Sequence, residues 1–261
     1  MRTALIAGTG RLPRELAARL DAALVASPAG FAPEGLAAET FRLERLVPFL
    51  DSLLDRGIGR VVFAGAVRRP DLDPEAFDSR TATLAPRMAA AMSQGDDAAL
   101  REVVAFFEEA GLAVAGVAEL APDLVPGPGV LVGAPTGRDR ADLDRAAAIV
   151  ARLGPLDIGQ GAVVAGGLCL AVETLPGTEA MLDFVARTRP EGSGGVLWKA
   201  PKPGQDRRID LPAIGPETVA QAAAARLSGI GWEAGGVVLL DRAATIAAAA
   251  AAGLFLAACG P

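Results

Sequence analysis

The sequence predicts an α/β fold, with an N-terminal domain built on a parallel sheet and a C-terminal α+β domain with a mixed sheet. In the first half, short apolar runs alternate with helical patterns at the spacing of strands joined by crossover helices. In the second half, two apolar runs flank Gly166-Gly167, which is typical of an antiparallel hairpin. Four prolines and four glycines between positions 122 and 139 separate the two patterns. We therefore predict domains at 1–132 and 139–261, with 133–138 as the linker.

The N-terminal half has the more regular alternation of the two. Asp96 is a candidate N-cap of its strongest helical pattern, and Gly111 is the predicted stop. The apolar stripe of that helix consists of Leu100, Val103, Val104 and Phe107. Strands are predicted at 3–7, 23–26, 61–64 and 112–117, and helices at 13–23, 47–56 and 97–110.

The C-terminal half mixes the hairpin with helices. Asp241 is the predicted cap of the last helix and Gly253 its stop. The uncharged stretch 243–260 is interpreted as this helix followed by a buried strand, because its polyalanine centre is too weakly hydrophobic for a membrane span. The hairpin is predicted at 161–173, helices at 142–153, 178–187, 217–227 and 242–252, and strands near 194–198, 237–240 and 254–257.

The composition narrows the chemistry that the chain can perform. It has no histidine, which excludes a Ser-His-Asp triad, a Cys-His pair and histidine-ligated zinc. Its net charge of −6 leaves no broad basic face, so nucleic acid is not an expected partner. Cys169 and Cys259 lie ninety positions apart and are interpreted as buried, reduced thiols. The remaining carboxylates, lysines and hydroxyls favour a magnesium-type site with oxygen ligands.

The segment from Lys199 to Pro212 concentrates charge in a stiff loop. It contains two lysines, two arginines, two aspartates and a glutamine, together with three prolines. Stiffening of this kind favours a loop that holds an anionic, metal-bound group at fixed distances. The alternative is a solvated connector. Trp198, just before the loop, is interpreted as a core residue.

The segment Gly8-Thr9-Gly10-Arg11-Leu12-Pro13 lies where the first strand turns into the first helix. Glycines at such a turn allow backbone amides to approach a phosphate. The dinucleotide-binding fingerprint requires glycine where this chain has Pro13, so nicotinamide and flavin cofactors are not expected. The alternative is a tight turn with proline in the first turn of the helix.

Three further segments contain candidate binding residues. Gly65 and Arg68 or Arg69 follow the central strand at its carboxyl end, where open parallel sheets bind ligands. Asp96 and Asp97 could bind a ribose hydroxyl or a metal, although these residues alone favour helix capping and a charge at the helix dipole. In the second half the candidates are Gln160 in the turn before the hairpin, Glu173 at its end, and Thr178, which is also a candidate helix cap, with Glu179.

Taken in order, these segments match the motifs of one family. The matching motifs are Gly-x-Gly-x-Leu-Pro at 8–13, Phe-Ala-Gly-x-Val-x-Arg-Pro at 63–70, Gly-Asp-Asp-Ala at 95–98, Leu-Asp-x-Gly-Gln at 156–160, Ala-Val-Glu at 171–173, Gly-Thr-Glu-Ala-Met-Leu at 177–182, Lys-Ala-Pro-Lys-Pro-Gly-Gln-Asp at 199–206 and Asp-Leu-Pro-x-Ile-Gly at 210–215. Together they resemble the LpxI-type UDP-2,3-diacylglucosamine pyrophosphatase of lipid A biosynthesis, over nearly the whole chain. The chain departs from the family pattern at Thr9, where glycine or serine is usual, and at 247–252, where alanines replace a more polar stretch.

The resemblance implies a Rossmann-like N-terminal domain and a family-specific C-terminal domain. It also implies hydrolysis of UDP-2,3-diacylglucosamine to UMP and lipid X with Mg²⁺ or Mn²⁺. It makes Asp210 the essential aspartate, which would ligate the metal and orient or deprotonate the attacking water. Lys199 and Lys202 would neutralise charge on the phosphoryl oxygens. Gln205 and Asp206 would hold the substrate or the outer waters of the metal, with Asp206 as a second metal residue. The predicted substrate-binding residues are Gly8, Thr9, Gly10, Leu12, Pro13, Gly65, Arg69, Asp96, Asp97, Gln160, Glu173, Thr178 and Glu179.

The same resemblance implies a cytoplasmic enzyme that rests weakly against the inner membrane, because its substrate has two acyl chains. The acidic net charge argues for a hydrophobic rather than an electrostatic attachment. A homodimer is left open. Two other classes of function also stay open: another sugar-nucleotide enzyme on this fold, such as a transferase, and a non-catalytic protein that binds nucleotide or lipid.

Overall fold

The structure, a computed structural model, describes residues 1–68, 70–189 and 192–260, with the side chain of Asp96 outside the description. The chain divides into two compact units. Unit 1 comprises Met1–Ala121 and Arg208–Asp210, and unit 2 comprises Pro122–Arg207 and Leu211–Pro261. The predicted linker at 133–138 stays a prediction, although residues 129–132, which we had assigned to the first domain, form a strand in the sheet of unit 2.

Unit 1 contains a five-stranded sheet in which all strands are parallel, in the order β3-β2-β1-β4-β5. Strands β1 and β4 contain continuous apolar runs at 4–7 and 61–64, because helices cover both faces of a parallel sheet. The strands are β1 Arg2–Ala7, β2 Leu24–Pro28, β3 Glu39–Phe41, β4 Ile58–Ala64 and β5 Ala113–Ala115, and the helices are α1 Leu12–Ala17, α2 Leu46–Asp55, α3 Ala85–Ser93, α4 Asp96–Glu109 and α5 Val117–Leu120. The predicted parallel sheet is confirmed.

Two predictions for the helices of unit 1 were wrong. Helix α1 ends at Ala17 rather than position 23, because Ala23 already donates its N–H to the carbonyl of Thr3 and begins the pairing of β2 with β1. Asp96 is the first helical residue of α4 and not its cap. The N-cap is Gly95, whose φ of 115° only glycine adopts easily.

Unit 2 contains a six-stranded mixed sheet in the order β6-β13-β11-β9-β7-β8 and a small two-stranded sheet of β10 and β12. In the large sheet β9, β11 and β13 are parallel, while β6, β7 and β8 are antiparallel to their neighbours. The strands are β6 Gly129–Val132, β7 Gly161–Ala165, β8 Leu168–Val172, β9 Val196–Lys199, β10 Ala213–Ile214, β11 Gly229–Glu233, β12 Val238–Leu239 and β13 Phe255–Cys259, and the helices are α6 Gly137–Leu153, α7 Gly177–Thr188, α8 Pro216–Ala224 and α9 Arg242–Ala252. The predicted mixed sheet and hairpin are confirmed.

Strand β11, at the centre of this sheet, was not predicted, because two glycines interrupt its apolar pattern. A Cβ on Gly231 would lie 2.3 Å from Leu143 of α6, and one on Gly229 would lie 2.4 Å from the ring of Phe255. The glycines therefore admit a helix and an aromatic ring at close range. The apolar pattern of a strand is interrupted in the sequence because close packing requires glycine at these two positions.

The ends of two helices in unit 2 show how well capping can be read from sequence. Helix α9 begins after Asp241 and ends at Gly253, whose φ is 68°, as predicted. Helix α6 begins at Gly137, five residues earlier than predicted. Thr136 and Asp139 form a reciprocal capping box there, a signal that the Thr-x-x-Asp sequence carried.

Two expectations about the surface also have outcomes. The free thiol of Cys169 is exposed on β8 and that of Cys259 is half-buried, so the prediction of buried thiols was wrong for Cys169. Within the described ranges, no helix combines the length and apolar character needed to cross a bilayer.

Candidate active site

The ammonium group of Lys199 is a buried, hydrogen-bonded charge in unit 2. Lys199 is the last residue of β9 and is only 6% exposed. Its Nζ donates to Thr178 Oγ1 at 2.7 Å and to the carbonyl of Ala213 at 3.3 Å. A buried ammonium is costly unless acceptors surround it. The strand end, helix α7 and strand β10 therefore converge on this one charge.

Glu173 adds a carboxylate to the same place. Its Oε2 lies 3.9 Å from Lys199 Nζ, and its side chain is 13% exposed. Within the described residues this oxygen accepts no hydrogen bond. Lys199 and Glu173 therefore attract each other by charge and do not share a hydrogen bond. Glu173 Oε2 is a buried acceptor that a hydroxyl or amide of a ligand can use.

The loop after β9 folds back on itself through Gln205, which is 8% exposed. Its Oε1 accepts from the backbone N–H of Lys202 at 2.9 Å and from Gln160 Nε2 at 3.4 Å. The carbonyl of Gln160 in turn accepts from Ala200 N at 3.0 Å. The stiff charged loop is therefore bound to the turn before the hairpin and is not a solvated connector.

Glycine makes the close contact between that turn and Glu173. Gly159 has φ 61°, and a Cβ there would lie 2.1 Å from the carbonyl oxygen of Glu173. A Cβ on Gly161 would lie 2.6 Å from Glu173 Oε2. A Cβ on Gly154 would meet Pro203 at 2.3 Å. A side chain at any of these three positions would displace a neighbouring residue.

The remaining unit 2 candidates lie on α7 and in the charged loop. Thr178 is not the predicted cap of α7, because the N-cap is Pro176 and the Thr178 hydroxyl is the acceptor for Lys199. Glu179 is exposed in the first turn of α7, where its charge favours the helix dipole. Asp206 is half-buried in the charged loop.

Unit 1 contains further predicted residues, and Gly8, Thr9 and Gly65 lie after the carboxyl ends of β1 and β4. Gly8 and Gly65 lie back to back: a Cβ on Gly8 would be 2.5 Å from the carbonyl oxygen of Ala66, and one on Gly65 would be 2.6 Å from that of Thr9. The Thr9 hydroxyl donates to the same Ala66 carbonyl at 3.0 Å. Two of the predicted segments are thus in direct contact.

The backbone amides of this turn are largely engaged. Gly8 N donates to Ala64 O at 2.8 Å and Thr9 N to Ala66 O at 2.9 Å, so neither N–H is available to a phosphate. Gly10 has φ 90° and open space around its Cα. Leu12 and Pro13 begin α1, a helix of six residues. A binding role for these residues stays a prediction. Any such role would not involve the backbone N–H groups of Gly8 and Thr9.

Asp210 belongs to unit 1 although most of its loop belongs to unit 2. The segment 208–210 is anchored by Arg208, whose NH1 donates to Glu108 Oε1 at 2.7 Å. A Cβ on Gly116 would lie 3.2 Å from Arg208 Cα, so the two backbones pass closely. The anchor leaves Ile209 and Asp210 at the border of a cavity of about 340 Å³ in unit 1.

The cavity was not anticipated from the sequence, although the apolar stripe of α4 contributes to it. Gly8, Gly65 and Arg68 border it together with Asp210. Most of its remaining wall is apolar: Ile6, Pro28, Phe41, Leu43, Phe63, Ala64, Ala66, Val67, Pro70, Leu72, Met88, Ala91, Met92, Ala99, Leu100, Val103, Val104, Phe106, Phe107 and Ile209. The helical stripe had been interpreted as core alone. Its pattern does not reveal whether the space it faces is filled.

The other acidic and basic candidates of unit 1 are less informative. Asp97 is half-buried at the second position of α4, where it favours the helix dipole. The side chain of Asp96 and all of Arg69 lie outside the described residues. Sequence reasoning also missed Asp157, which is in the left-handed region and forms an ion pair with Lys202.

The carboxylates fit one kind of metal site better than another. Among the residues that the structure describes, no three Cys, Asp or Glu side chains converge as a set of metal ligands. A site formed entirely by protein ligands is therefore not supported there. Mg²⁺ is commonly held by one or two carboxylates, several waters and the phosphates of its substrate, and a carboxylate such as Asp210 fits that arrangement.

Comparisons with known proteins agree with the motif pattern. The model of the LpxI N-terminal domain matches residues 2–124, and that of the LpxI C-terminal domain matches residues 127–257. The chain is also 41% identical over 280 aligned residues to the UDP-2,3-diacylglucosamine pyrophosphatase LpxI of Caulobacter vibrioides. That alignment covers 97% of this chain and 95% of the relative, which is a hydrolase.

Proposed function

This chain belongs to the LpxI family, and we propose that it hydrolyses the pyrophosphate bond of UDP-2,3-diacylglucosamine to UMP and 2,3-diacylglucosamine 1-phosphate. The observation that supports this most is the end-to-end match to a relative of that printed activity. The retained motifs also form a dense polar cluster in unit 2 and line the cavity of unit 1. A fold match alone would not support a substrate, but a collinear set of site residues does.

We propose that the reaction is a single displacement by water. The water oxygen forms a bond to one phosphorus, the bond from that phosphorus to the bridging oxygen breaks, and the other phosphate leaves. Asp210 orients the water and accepts its proton. Its half-buried position at the border of the cavity supports this role, because the carboxylate is held in place by the fold and still reaches the open space beside it.

The lysines of the charged loop are proposed to stabilise the charge that develops on the phosphate groups. Lys199 is the stronger candidate, because Thr178 and the carbonyl of Ala213 hold its ammonium in one position. A preorganised charge needs no rearrangement during the reaction. Lys202 pairs with Asp157, and Gln205 fixes the backbone between the two lysines. Glu173 offers its buried oxygen to a hydroxyl of the sugar.

A divalent cation, Mg²⁺ or Mn²⁺, is proposed as the cofactor. Asp210 would hold it, with Asp206 as a second or outer ligand. When bound, such an ion neutralises negative charge on the phosphoryl oxygens and the leaving group. The absence of histidine from the chain agrees with an oxygen-ligated ion of this class.

Weak attachment to the cytoplasmic face of the inner membrane is also proposed. Three apolar side chains are exposed in the turns beside Glu173: Leu175 is 99% exposed, Leu156 67% and Ile158 36%. Exposed leucines in loops insert into the interface without requiring a basic face. Co-sedimentation with vesicles should fall when Leu156 and Leu175 are replaced by serine and should not depend on salt. Attachment lost at high salt would contradict this.

The central experiment measures UMP release. The purified protein is incubated with UDP-2,3-diacylglucosamine in Mg²⁺, in Mn²⁺, and in excess chelator, and the products are separated. We expect UMP and the diacylated sugar phosphate with either cation and none with chelator. Turnover that is unchanged in excess chelator would show that the reaction does not require a divalent cation. A transferase would release no UMP with water as the only acceptor, and a binding protein would retain the substrate unchanged.

A further inference from the structure

The chain enters unit 1 a second time for three residues only. The segment 208–210 belongs to unit 1, whereas Arg207 before it and Leu211 after it belong to unit 2. The rest of unit 1 comes from the first half of the chain. The position of Asp210, the residue proposed to activate water, therefore depends on how this short segment is attached to unit 1.

Both sides of the segment are attached within unit 2. Before it, Arg207 NH2 lies 2.6 Å from Oε1 of Glu233, the last residue of β11. After it, the carbonyl of Pro212 accepts from Val238 N at 2.9 Å, and β10 pairs with β12. Each residue of a chain spans at most about 3.6 Å, so the two attachments limit how far the segment can move. Its place in unit 1 is then set by contacts of its own.

Arg208 makes two such contacts, one with its side chain and one with its backbone. Its NH1 donates to Oε1 of Glu108, in the last turn of α4, at 2.7 Å. Its Cα would lie 3.2 Å from a Cβ on Gly116, the N-cap of α5. Glu108 precedes β5 and Gly116 follows it, so Arg208 contacts unit 1 at both ends of this edge strand. Two separated contacts fix the direction of the residue as well as its position.

The ion pair of Arg208 contributes more to local geometry than to global stability. The side chains of Arg208 and Glu108 are 41% and 45% exposed, and pairs at such positions add little to the free energy of unfolding. The two residues that follow, Ile209 and Asp210, are half-buried at the border of the cavity. A catalytic group that is misplaced by about 1 Å can lose about a hundredfold in rate. A weak pair can therefore have a large effect on catalysis when it sets such a position.

We propose that Arg208, held by Glu108 and by the close approach of Gly116, is a positioning residue that places Asp210 for the reaction. The catalytic role of Asp210 rests on the proposed function, whereas the attachment of 208–210 to unit 1 does not. Arg208 acts through Asp210 and does not bind the substrate, since its guanidinium group is engaged by Glu108. Loss of its contacts should therefore lower kcat and leave KM nearly unchanged.

The methyl group of Ile209 tests the attachment without measuring activity. The full chain is labelled with ¹³C-methyl isoleucine, and Arg208→Glu and Glu108→Arg each bring like charges together. We expect both variants to shift the Ile209 signal, and the double variant Glu108→Arg/Arg208→Glu to return it towards its parent position. Ile58 and Ile230, in the cores of the two units, should keep their positions and report a folded chain. An Ile209 signal that both single variants leave in place would refute the attachment.

A second ion pair of unit 1 provides the matched control. Arg56 lies 2.9 Å from Glu39, with side chains 45% and 59% exposed. Arg56→Glu should therefore disturb a surface pair of the same kind without moving the Ile209 signal. A shift of Ile209 in this control as large as in Arg208→Glu would show a general effect of charge and overturn the proposal.

Kinetics of UMP release complete the test. In Arg208→Glu and Glu108→Arg we expect kcat to fall about tenfold or more with KM within about twofold of the parent, and the double variant to recover most of the rate. Gly116→Ala should also lower kcat, because its Cβ displaces Arg208, whereas Gly137→Ala, with open space around it, should not.

The other outcomes separate this proposal from the proposed function. A shifted Ile209 signal with kcat unchanged in an active enzyme would overturn the positioning role. A raised KM in Arg208→Glu, with Glu108→Arg fully active, would also overturn it, because Arg208 would then bind the substrate directly. If the parent releases no UMP, the proposed hydrolysis fails, and the Ile209 signals still decide whether Arg208 attaches the segment to unit 1.

Discussion

Lys199 Nζ lies 2.7 Å from Thr178 Oγ1, which joins the end of β9 to the first turn of α7. Thr178 had been a candidate cap, and a threonine before a helical pattern usually is one. The structure gives its hydroxyl to a buried ammonium instead. The contact places a positive charge at a defined point of unit 2, and we expect it to contribute to both stability and activity.

Thr178→Val removes the hydroxyl with almost no change of volume. A buried charged donor that loses an acceptor costs about 1–3 kcal/mol, so we expect a lower free energy of unfolding of that size. The rate of UMP release should fall about tenfold or more, since Lys199 then has a less defined position. Thr178→Ser keeps the hydroxyl and should behave nearly as the parent. Equal activity of the valine and serine variants would show that the contact is structural only.

Asp210→Asn keeps the size of the side chain and removes its charge. If Asp210 accepts the proton of water, UMP release should fall by about a hundredfold or more, as for other general bases. The chain should remain folded, because Asp210 is only half-buried. Asp183→Asn, an exposed change on α7, is the control and should be neutral. Single-turnover rates matching the parent would exclude Asp210 from the chemistry.

Glu44 predicts a pH dependence of stability in unit 1. Arg42, 3.1 Å away, and the N–H of Asp73, also at 3.1 Å, lower the pKa of the buried Glu44 carboxyl from 4.5 to about 2. The unfolded chain therefore binds this proton more readily than the folded one. The stabilisation is complete above pH 4.5 and is lost as the pH falls from there towards 2.

The matching variant is Glu44→Gln. It should unfold with about 1–3 kcal/mol less free energy than the parent at pH 7, and the difference should shrink between pH 4.5 and pH 2. Urea titrations at a series of pH values measure it. The control is Glu39→Gln. Glu39 pairs with Arg56, both side chains are about half exposed, and the substitution should therefore change the free energy of unfolding little. A constant gap between parent and Glu44→Gln across this range would contradict the assignment.

Gly159→Ala tests whether the turn before the hairpin positions Glu173. Alanine at φ 61° costs about 1–2 kcal/mol, and the contact of its Cβ with the Glu173 carbonyl, 2.1 Å in the present backbone, adds a further cost of overpacking of about 1–3 kcal/mol. Gly167→Ala is the matched control, because it has φ 79° and open space around it. We expect the control to lose stability but retain activity, and Gly159→Ala to lose both. Similar losses in the two variants would show that only the backbone conformation matters.

Much of the architecture could be predicted from local pattern. Alternating apolar runs and helical stripes indicated a parallel sheet, two runs around Gly166-Gly167 indicated the hairpin, and Asp241 with Gly253 marked both ends of α9. Each signal is local, because it depends on residues within one element or turn. Strand β11 was missed since its glycines serve packing with other elements.

The sequence by itself determined the fold class, the family, and which residue types are available for catalysis in a chain without histidine. Only the tertiary structure decided which acceptor Lys199 uses, that the amides of Gly8 and Thr9 are engaged, and that Asp210 borders a cavity. The physical reason is that hydrogen-bond partners and unfilled volume depend on residues far apart in the chain. A helical stripe has the same pattern whether it faces a neighbouring side chain or space for a ligand.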